Sequence, residues 1–138
     1  MTTRPILLDT HAVIWMPDAG KLSAAAESAL LEAQRLDTPI FISPISAWEI
    51  GLLVARGKIA LPVSPEAWLK AMTDSGLAWA SLAPDILIAS SFLPGDLHGD
   101  PADRILVATA RAYGYRLMTR DRRLLDYGGA GHVQVIAC

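Results

Sequence analysis

Short apolar runs alternate with longer amphipathic stretches along the chain. Ile6-Leu7-Leu8 is continuously apolar and ends on Asp9, the pattern of a strand buried on both faces of a parallel sheet. Ile40-Phe41-Ile42, followed by Ser43, repeats the pattern. Residues 77–82 and 116–119 predict a third and a fourth strand, and 133–137 a fifth at a sheet edge. Between these runs the apolar period shifts towards 3.6. Leu22, Ala26, Ala29, Leu30 and Ala33 form one stripe of a helix that Ser23 can cap and that reaches about Leu36. Thr10 to Trp15 reads as a short helix stopped near Pro17 and Gly20. Pro44 stands at a favourable first helical position, and 46–55 carry a mostly apolar helix ending at Gly57. Ser64 and Pro65 open a helix to about Thr73, Pro84 one to Phe92, and Pro101 a long one closed by Gly114. A loop spans 93–99, and 122–127 make a brief helical turn.

This order of strands and helices predicts an α/β fold: a mostly parallel four- to five-stranded sheet with helices on both faces. In open sheets of this kind functional groups gather at the carboxyl ends of the strands. Unusual residues are therefore sought there.

Composition narrows the class. The 138 residues are 52% hydrophobic and 19% charged, which suits one globular domain spanning 1–138. No repeat or low-complexity tract is present. The formal net charge of −2 gives no case for nucleic-acid binding by itself. Its distribution says more, because Arg104, Arg111, Arg116, Arg120, Arg122 and Arg123 crowd one stretch. They are either solvated faces or a phosphate-steering rim. The one cysteine, Cys138, excludes an internal disulfide framework and fits a reducing cytoplasm. The N-terminus reaches an acid too early for a signal peptide, and no run of about 20 apolar residues could span a membrane.

Four acids fall where sites form. Asp9 ends the first strand and Asp121 follows the fourth. Glu49 is the only charge between Asp37 and Arg56, within an apolar helix. Asp103 lies in the first turn of the long helix, three residues after Asp100 and near the same face. Each has an ordinary explanation: Asp9, Asp100 and Asp121 can cap helices, and Glu49 can pair with an arginine. Together they need an offset, since two carboxylates 4 Å apart repel by about 4 kcal/mol at an effective dielectric of 20. Protonation, arginines or a divalent cation can supply it. All-oxygen ligands suit Mg²⁺ or Mn²⁺. His11, His98 and His132 lack zinc-like spacing, and His11 reads as a loop or packing residue. Thr10, Ser46 and Thr119 accompany the acids as hydroxyls able to orient them or to cap helices. Walker, dinucleotide-binding and nucleophile-elbow motifs are absent.

The segments LLDTHAVIW, ISAWEI, DPADRILVATARAYG and LMTRD, in that order, resemble the PIN domain of VapC-type toxins, the ribonuclease halves of toxin–antitoxin pairs. The resemblance runs from Ile6 to about Ile136. It implies that Asp9, Glu49, Asp103 and Asp121 are catalytic and metal-ligating and Asp100 auxiliary; Asp9 and Asp121 are expected as direct ligands, with Glu49 and Asp103 ligating or orienting water. It implies Mg²⁺ or Mn²⁺, a homodimer, a cognate antitoxin, and hydrolysis of RNA phosphodiester bonds by metal-activated water. Arg104, Arg120 and Arg122 are the expected substrate-binding rim. The rival readings are a Mg²⁺-dependent phosphatase of doubly wound fold and a non-catalytic PIN-like module that binds a partner. The first usually has a second Asp two residues after the first, where this chain has His11. Of the four tryptophans, Trp48 and Trp79 are expected in the core. Trp15 and Trp68 are left between base stacking and an antitoxin interface.

Overall fold

Three fully buried residues, Ile6–Leu8, form the central strand β1 of a five-stranded parallel sheet. The computed structural model describes residues 3–18 and 20–138. After β1 the chain runs through α1 (Thr10–Trp15), α2 (Ala24–Arg35), β2 (Ile40–Ile42), α3 (Pro44–Ala55) and α4 (Pro65–Asp74). It continues through β3 (Ala78–Trp79), α5 (Pro84–Ala89), α6 (Pro101–Tyr113), β4 (Arg116–Thr119), α7 (Arg122–Gly129) and β5 (Gln134–Ala137). The strand order is β3-β2-β1-β4-β5, with every pairing parallel.

Alternation along the strands divides the core in two. Ile6, Leu8, Ile40, Ile42 and Met118 face a cluster with Val13 of α1, Ala26 and Ala33 of α2, Ile50 of α3, and Leu69 and Met72 of α4. Leu7 and Leu117 point the other way, onto Leu106, Val107 and Ala110 of α6 and Leu124 and Tyr127 of α7. Fully burying each such Leu or Ile contributes roughly 1.5–3 kcal/mol. Helices therefore cover both faces, as the continuously apolar strands require.

The helix starts follow their caps. Ser23 accepts from Ala26 N at 3.0 Å, Ser43 from Ile45 N at 3.1 Å and Ser64 from Ala67 N at 3.2 Å. The long helix α6 ends at Gly114, whose φ of 72° needs a residue without a Cβ. Two predicted elements are shorter than expected. The third strand keeps only Ala78 and Trp79 of 77–82, because it pairs on one side only and Pro84 starts a helix soon after. The helix opened by Pro84 ends at Ala89, leaving Phe92 in a bend beyond it and 81% exposed.

The chain places β2 and β3 on one side of β1 and then crosses to put β4 on the other. The crevice beyond the carboxyl ends of β1 and β4 is thus a topological switch point. Leu8 pairs with Met118 in register, so Asp9 and Thr119 meet at its mouth.

Candidate active site

Asp9 is the N-cap of α1 and is buried despite its charge, with 6% exposure. Both of its oxygens are engaged: Oδ1 accepts from Thr10 N at 2.7 Å and Oδ2 from the Thr119 hydroxyl at 2.7 Å. Asp100 caps α6, accepting from Asp103 N at 3.1 Å. Asp121 caps α7, accepting from Arg123 N at 2.8 Å and Leu124 N at 3.3 Å. Capping and a shared site are therefore not rival explanations of these three acids. The caps fix the carboxylates on one side of the sheet.

Glu49 is held differently. Its Oε1 accepts a hydrogen bond from the Thr10 hydroxyl, which also lies 2.9 Å from Ser46 Oγ. Among the described residues it forms no ion pair, which removes the structural salt bridge as its explanation. Ser46 is one turn before Glu49 on α3 and fully buried, so the three side chains lock α1 against α3. The hydroxyls of Thr10, Ser46 and Thr119 thus stand where orientation of the acids needs them.

A cavity of about 440 Å³ is lined by all five acids, Asp9, Glu49, Asp100, Asp103 and Asp121, with His11, Trp15, Arg120 and Arg123 at its walls. Burial, together with Asp9, Asp100, Asp121 and Glu49, pushes Asp103 up to about 8. Burial raises Asp9 as well, against the hydrogen bonds from Thr119 and Thr10. Burial also raises Glu49, aided by Asp9 and Asp100. Asp121 goes the other way: burial opposes it, but the N–H groups of Leu124 and Arg123 and the Arg123 guanidinium, 3.5 Å away, hold it low. A group of acids that pay this much to ionise together is matched to a cation.

His98 is a member of the site that spacing alone did not reveal. Its Nε2 lies buried 3.3 Å from Asp103 Oδ2, and ligand atoms of His98, Asp103 and Asp121 fall within 4.8 Å of one another. Its Nδ1 accepts from Asp100 N at 3.2 Å, which places the proton of a neutral ring on Nε2, facing the carboxylate. His98 therefore suits a positioning role beside Asp103, and the donors for a cation remain oxygens. The signal was its place two residues before Asp100. His11 also lines the cavity, exposed on α1 and tilted against Trp15 with ring centroids 5.3 Å apart, so it is neither a loop residue nor a buried packing residue.

The arginine rim is only partly as expected. Arg120 lines the cavity, its guanidinium 4.0 Å over the Trp15 ring and donating to the carbonyls of Lys21 and Cys138. Arg104 does not reach it. Its Nε donates to Ser90 O at 2.8 Å, and its Nη1 to Leu97 O at 2.9 Å and His98 O at 3.3 Å, so it holds the loop that carries His98. Arg122 is exposed away from the cavity, and Arg123 takes its place. On a helical turn adjacent residues face different ways, and the cap at Asp121 selects Arg123. The expectation that Trp48 and Trp79 are core residues is also corrected: they are 56% and 45% exposed. Trp48 sits on the outer face of α3, and Trp79 on a two-residue edge strand.

Comparison with known proteins gives the family. The PIN domain model matches residues 6–130. Ribonuclease VapC22 of Mycobacterium tuberculosis is 35% identical over 128 residues, covering 92% of this chain and 93% of that protein. Among solved structures, VapBC2 from Rickettsia felis bound to a promoter DNA fragment aligns with a TM-score of 0.70 at 15% identity, over 96% of this chain and 98% of that one. DNA-bound VapBC from Salmonella typhimurium aligns with a TM-score of 0.65 at 16% identity, over 98% of each chain. At those identities the two structures speak to the fold alone. The match over nearly the whole chain and the identity to the mycobacterial protein make this chain a member of the PIN domain family.

Proposed function

We propose that this protein is a divalent-metal-dependent endoribonuclease, the toxin of a toxin–antitoxin pair, acting in the cytoplasm as a homodimer. The observation that carries the reading is the convergence of five acids on one cavity, with Asp103 raised to about 8. Its relative at 35% identity is named a ribonuclease, and its structural neighbours are complexes named VapBC, which supports a cognate antitoxin as partner. No helix among the described residues is long and apolar enough to cross a membrane.

The donor set fits Mg²⁺ or Mn²⁺, since the carboxylates of Asp9, Glu49, Asp103 and Asp121 offer it oxygen ligands in one cavity. Asp9, Glu49, Asp103 and Asp121 are the residues that would hold the ion. When bound, it supplies Lewis-acid stabilisation of the charge that builds on the phosphate oxygens and activates water for attack. The chain does the rest. Thr119 and Thr10 fix the Asp9 carboxylate, Thr10 also fixes Glu49, and Asp100 sets the first turn that presents Asp103. Arg120 and Arg123 place positive charge at the walls, where it attracts an RNA backbone.

The test is single-turnover cleavage of a labelled RNA pool with Mg²⁺ or Mn²⁺, comparing the natural sequence with Asp9→Asn. Cleavage that requires the metal and is lost in the variant is the expected result. Equal cutting by both would place the activity elsewhere. Hydrolysis of small phosphomonoesters without RNA cleavage would favour a phosphatase. Binding of a partner with no hydrolysis by the folded protein would favour a non-catalytic module.

A further inference from the structure

Trp48 precedes Glu49 on α3, yet it is 56% exposed. Its ring therefore has a face free for stacking beside the site. A groove of about 230 Å³ runs past it between α3 and the start of α6, with an apolar floor of Leu52, Leu53, Pro101 and Ala102. At its inner end it shares Glu49 and Asp100 with the acid cavity, so the two hollows adjoin. At its outer end stands Arg56, exposed and without an ion pair among the described residues. Trp48, Leu52 and Arg56 recur every four residues and so lie on one stripe of the helix, about 12 Å from first to last at 1.5 Å per residue.

We propose that this groove is a subsite for one unpaired nucleobase of an RNA strand, with Trp48 as the stacking platform and Arg56 taking a neighbouring phosphate. The inference rests on the ribonuclease reading and deepens it. The order of chemistry along the groove carries the argument: acids, then a neutral apolar floor with an aromatic wall, then a cation. A single strand presents the matching order, a phosphate brought to the acids by a divalent ion, a neutral base with two flat faces, and another phosphate. The volume also selects the occupant. It lies below the roughly 300–1,000 Å³ of pockets that enclose drug-sized ligands and suits one base rather than a partner's helix. Stacking is tolerant of base identity, so Trp48 contributes affinity and register more than sequence choice.

The test uses an RNA oligonucleotide that the natural protein cuts, and copies of it with a single abasic residue at each position flanking the cut. Trp48→Ala raises KM about tenfold, with a much smaller change in kcat, and Trp48→Phe recovers most of the loss. One abasic position reproduces that loss in the natural protein and adds nothing further in Trp48→Ala. Arg56→Ala lowers the salt slope of RNA binding by about 0.7, the value for one phosphate contact on a single strand. An unchanged KM in Trp48→Ala, or abasic losses that multiply with it at every position, overturns the subsite. Sedimentation of the same variant as a monomer where the natural protein is a dimer, with multiplying abasic losses, assigns the face to a second copy of the chain and overturns it too. Failure of the natural protein to cut or bind any RNA sinks the ribonuclease reading, and the subsite with it. Metal-dependent cutting that ignores Trp48 sinks the subsite alone.

Discussion

The two ends of the sheet carry opposite charge, and only one of them is built under electrostatic load. At the carboxyl ends, five acids crowd a cavity of about 440 Å³. At the amino ends, Arg4, Arg111, Arg116 and His132 line a larger open hollow of about 760 Å³, with no acid among the residues around it. Two of the arginines there are occupied with backbone. Arg116 Nε and Nη2 donate to Arg4 O at 3.1 and 3.0 Å, and Arg111 donates to His132 O. They close off carbonyls at the starts of strands and stay in solvent. At the other end Asp9, Glu49 and Asp103 are partly or wholly withdrawn from water, and burial together with the neighbouring carboxylates raises their pKa. A larger hollow and a run of like charge do not make a site. Charge that is desolvated and kept together at a cost does.

The largest effect should come from removing a carboxylate. Asp9→Asn or Asp103→Asn is expected to lower the single-turnover rate at least about a hundredfold, on the scale of losing one preorganised electrostatic group. Arg111→Ala, at the opposite end, should leave the rate within about twofold. Comparable losses at both ends would break the contrast.

The next is a pH effect on the metal-free protein. Folded Asp103 keeps its proton up to about 8, whereas the unfolded chain releases it near 3.8. Between those values the native state binds more protons, so stability falls as pH rises through that window and levels off above it. Asp9 and Glu49, raised by burial, act in the same direction. Thermal melts from pH 5 to 8.5 should show Tm falling with pH, with a shallower slope in Asp103→Asn and recovery by Mg²⁺ that grows with pH. A Tm that rises over this range in metal-free buffer would contradict the buried, mutually raised acids.

Smaller changes sharpen the picture. Thr119→Val deprives buried Asp9 of its hydroxyl donor and should cost about 1–3 kcal/mol in denaturant unfolding. Arg104→Ala frees the carbonyls of Ser90, Leu97 and His98. It should cost about 1–2 kcal/mol of stability while leaving the salt slope of RNA binding unchanged. A reduced slope would return Arg104 to the substrate rim. Arg116→Ala, which loses only contacts to one exposed carbonyl, should cost about 1 kcal/mol or less.

Much of the fold was legible because local signals agreed with it. Ser23, Ser64, Pro65, Pro101 and Gly114 mark helix ends through their own side chains or backbone. The apolar run Ile6–Leu8 and the apolar pair Leu117-Met118 mark strands buried on both faces. The acids were legible for a similar reason: a carboxylate directly after a buried strand, or alone in an apolar helix, is conspicuous in one dimension. The arginines were not. Arg104, Arg111, Arg116 and Arg120 look like one cluster in the chain, but α6 runs from the carboxyl ends of the strands to the amino ends and β4 runs back. Seven residues of helix cover about 10 Å, so Arg104 and Arg111 end up at opposite ends of the sheet. The reversal then returns Arg120 to the cavity.

The sequence by itself determined the parallel α/β architecture, the carboxylates at the strand ends and the family to which the chain belongs, because periodicity, caps and isolated charges are written locally. Only the tertiary structure decided which arginine meets the acids, that Trp48 faces water and that His98 stands against Asp103. Those outcomes depend on the direction in which each element crosses the sheet and on which of its faces meets a neighbour. Residues far apart in the chain set both.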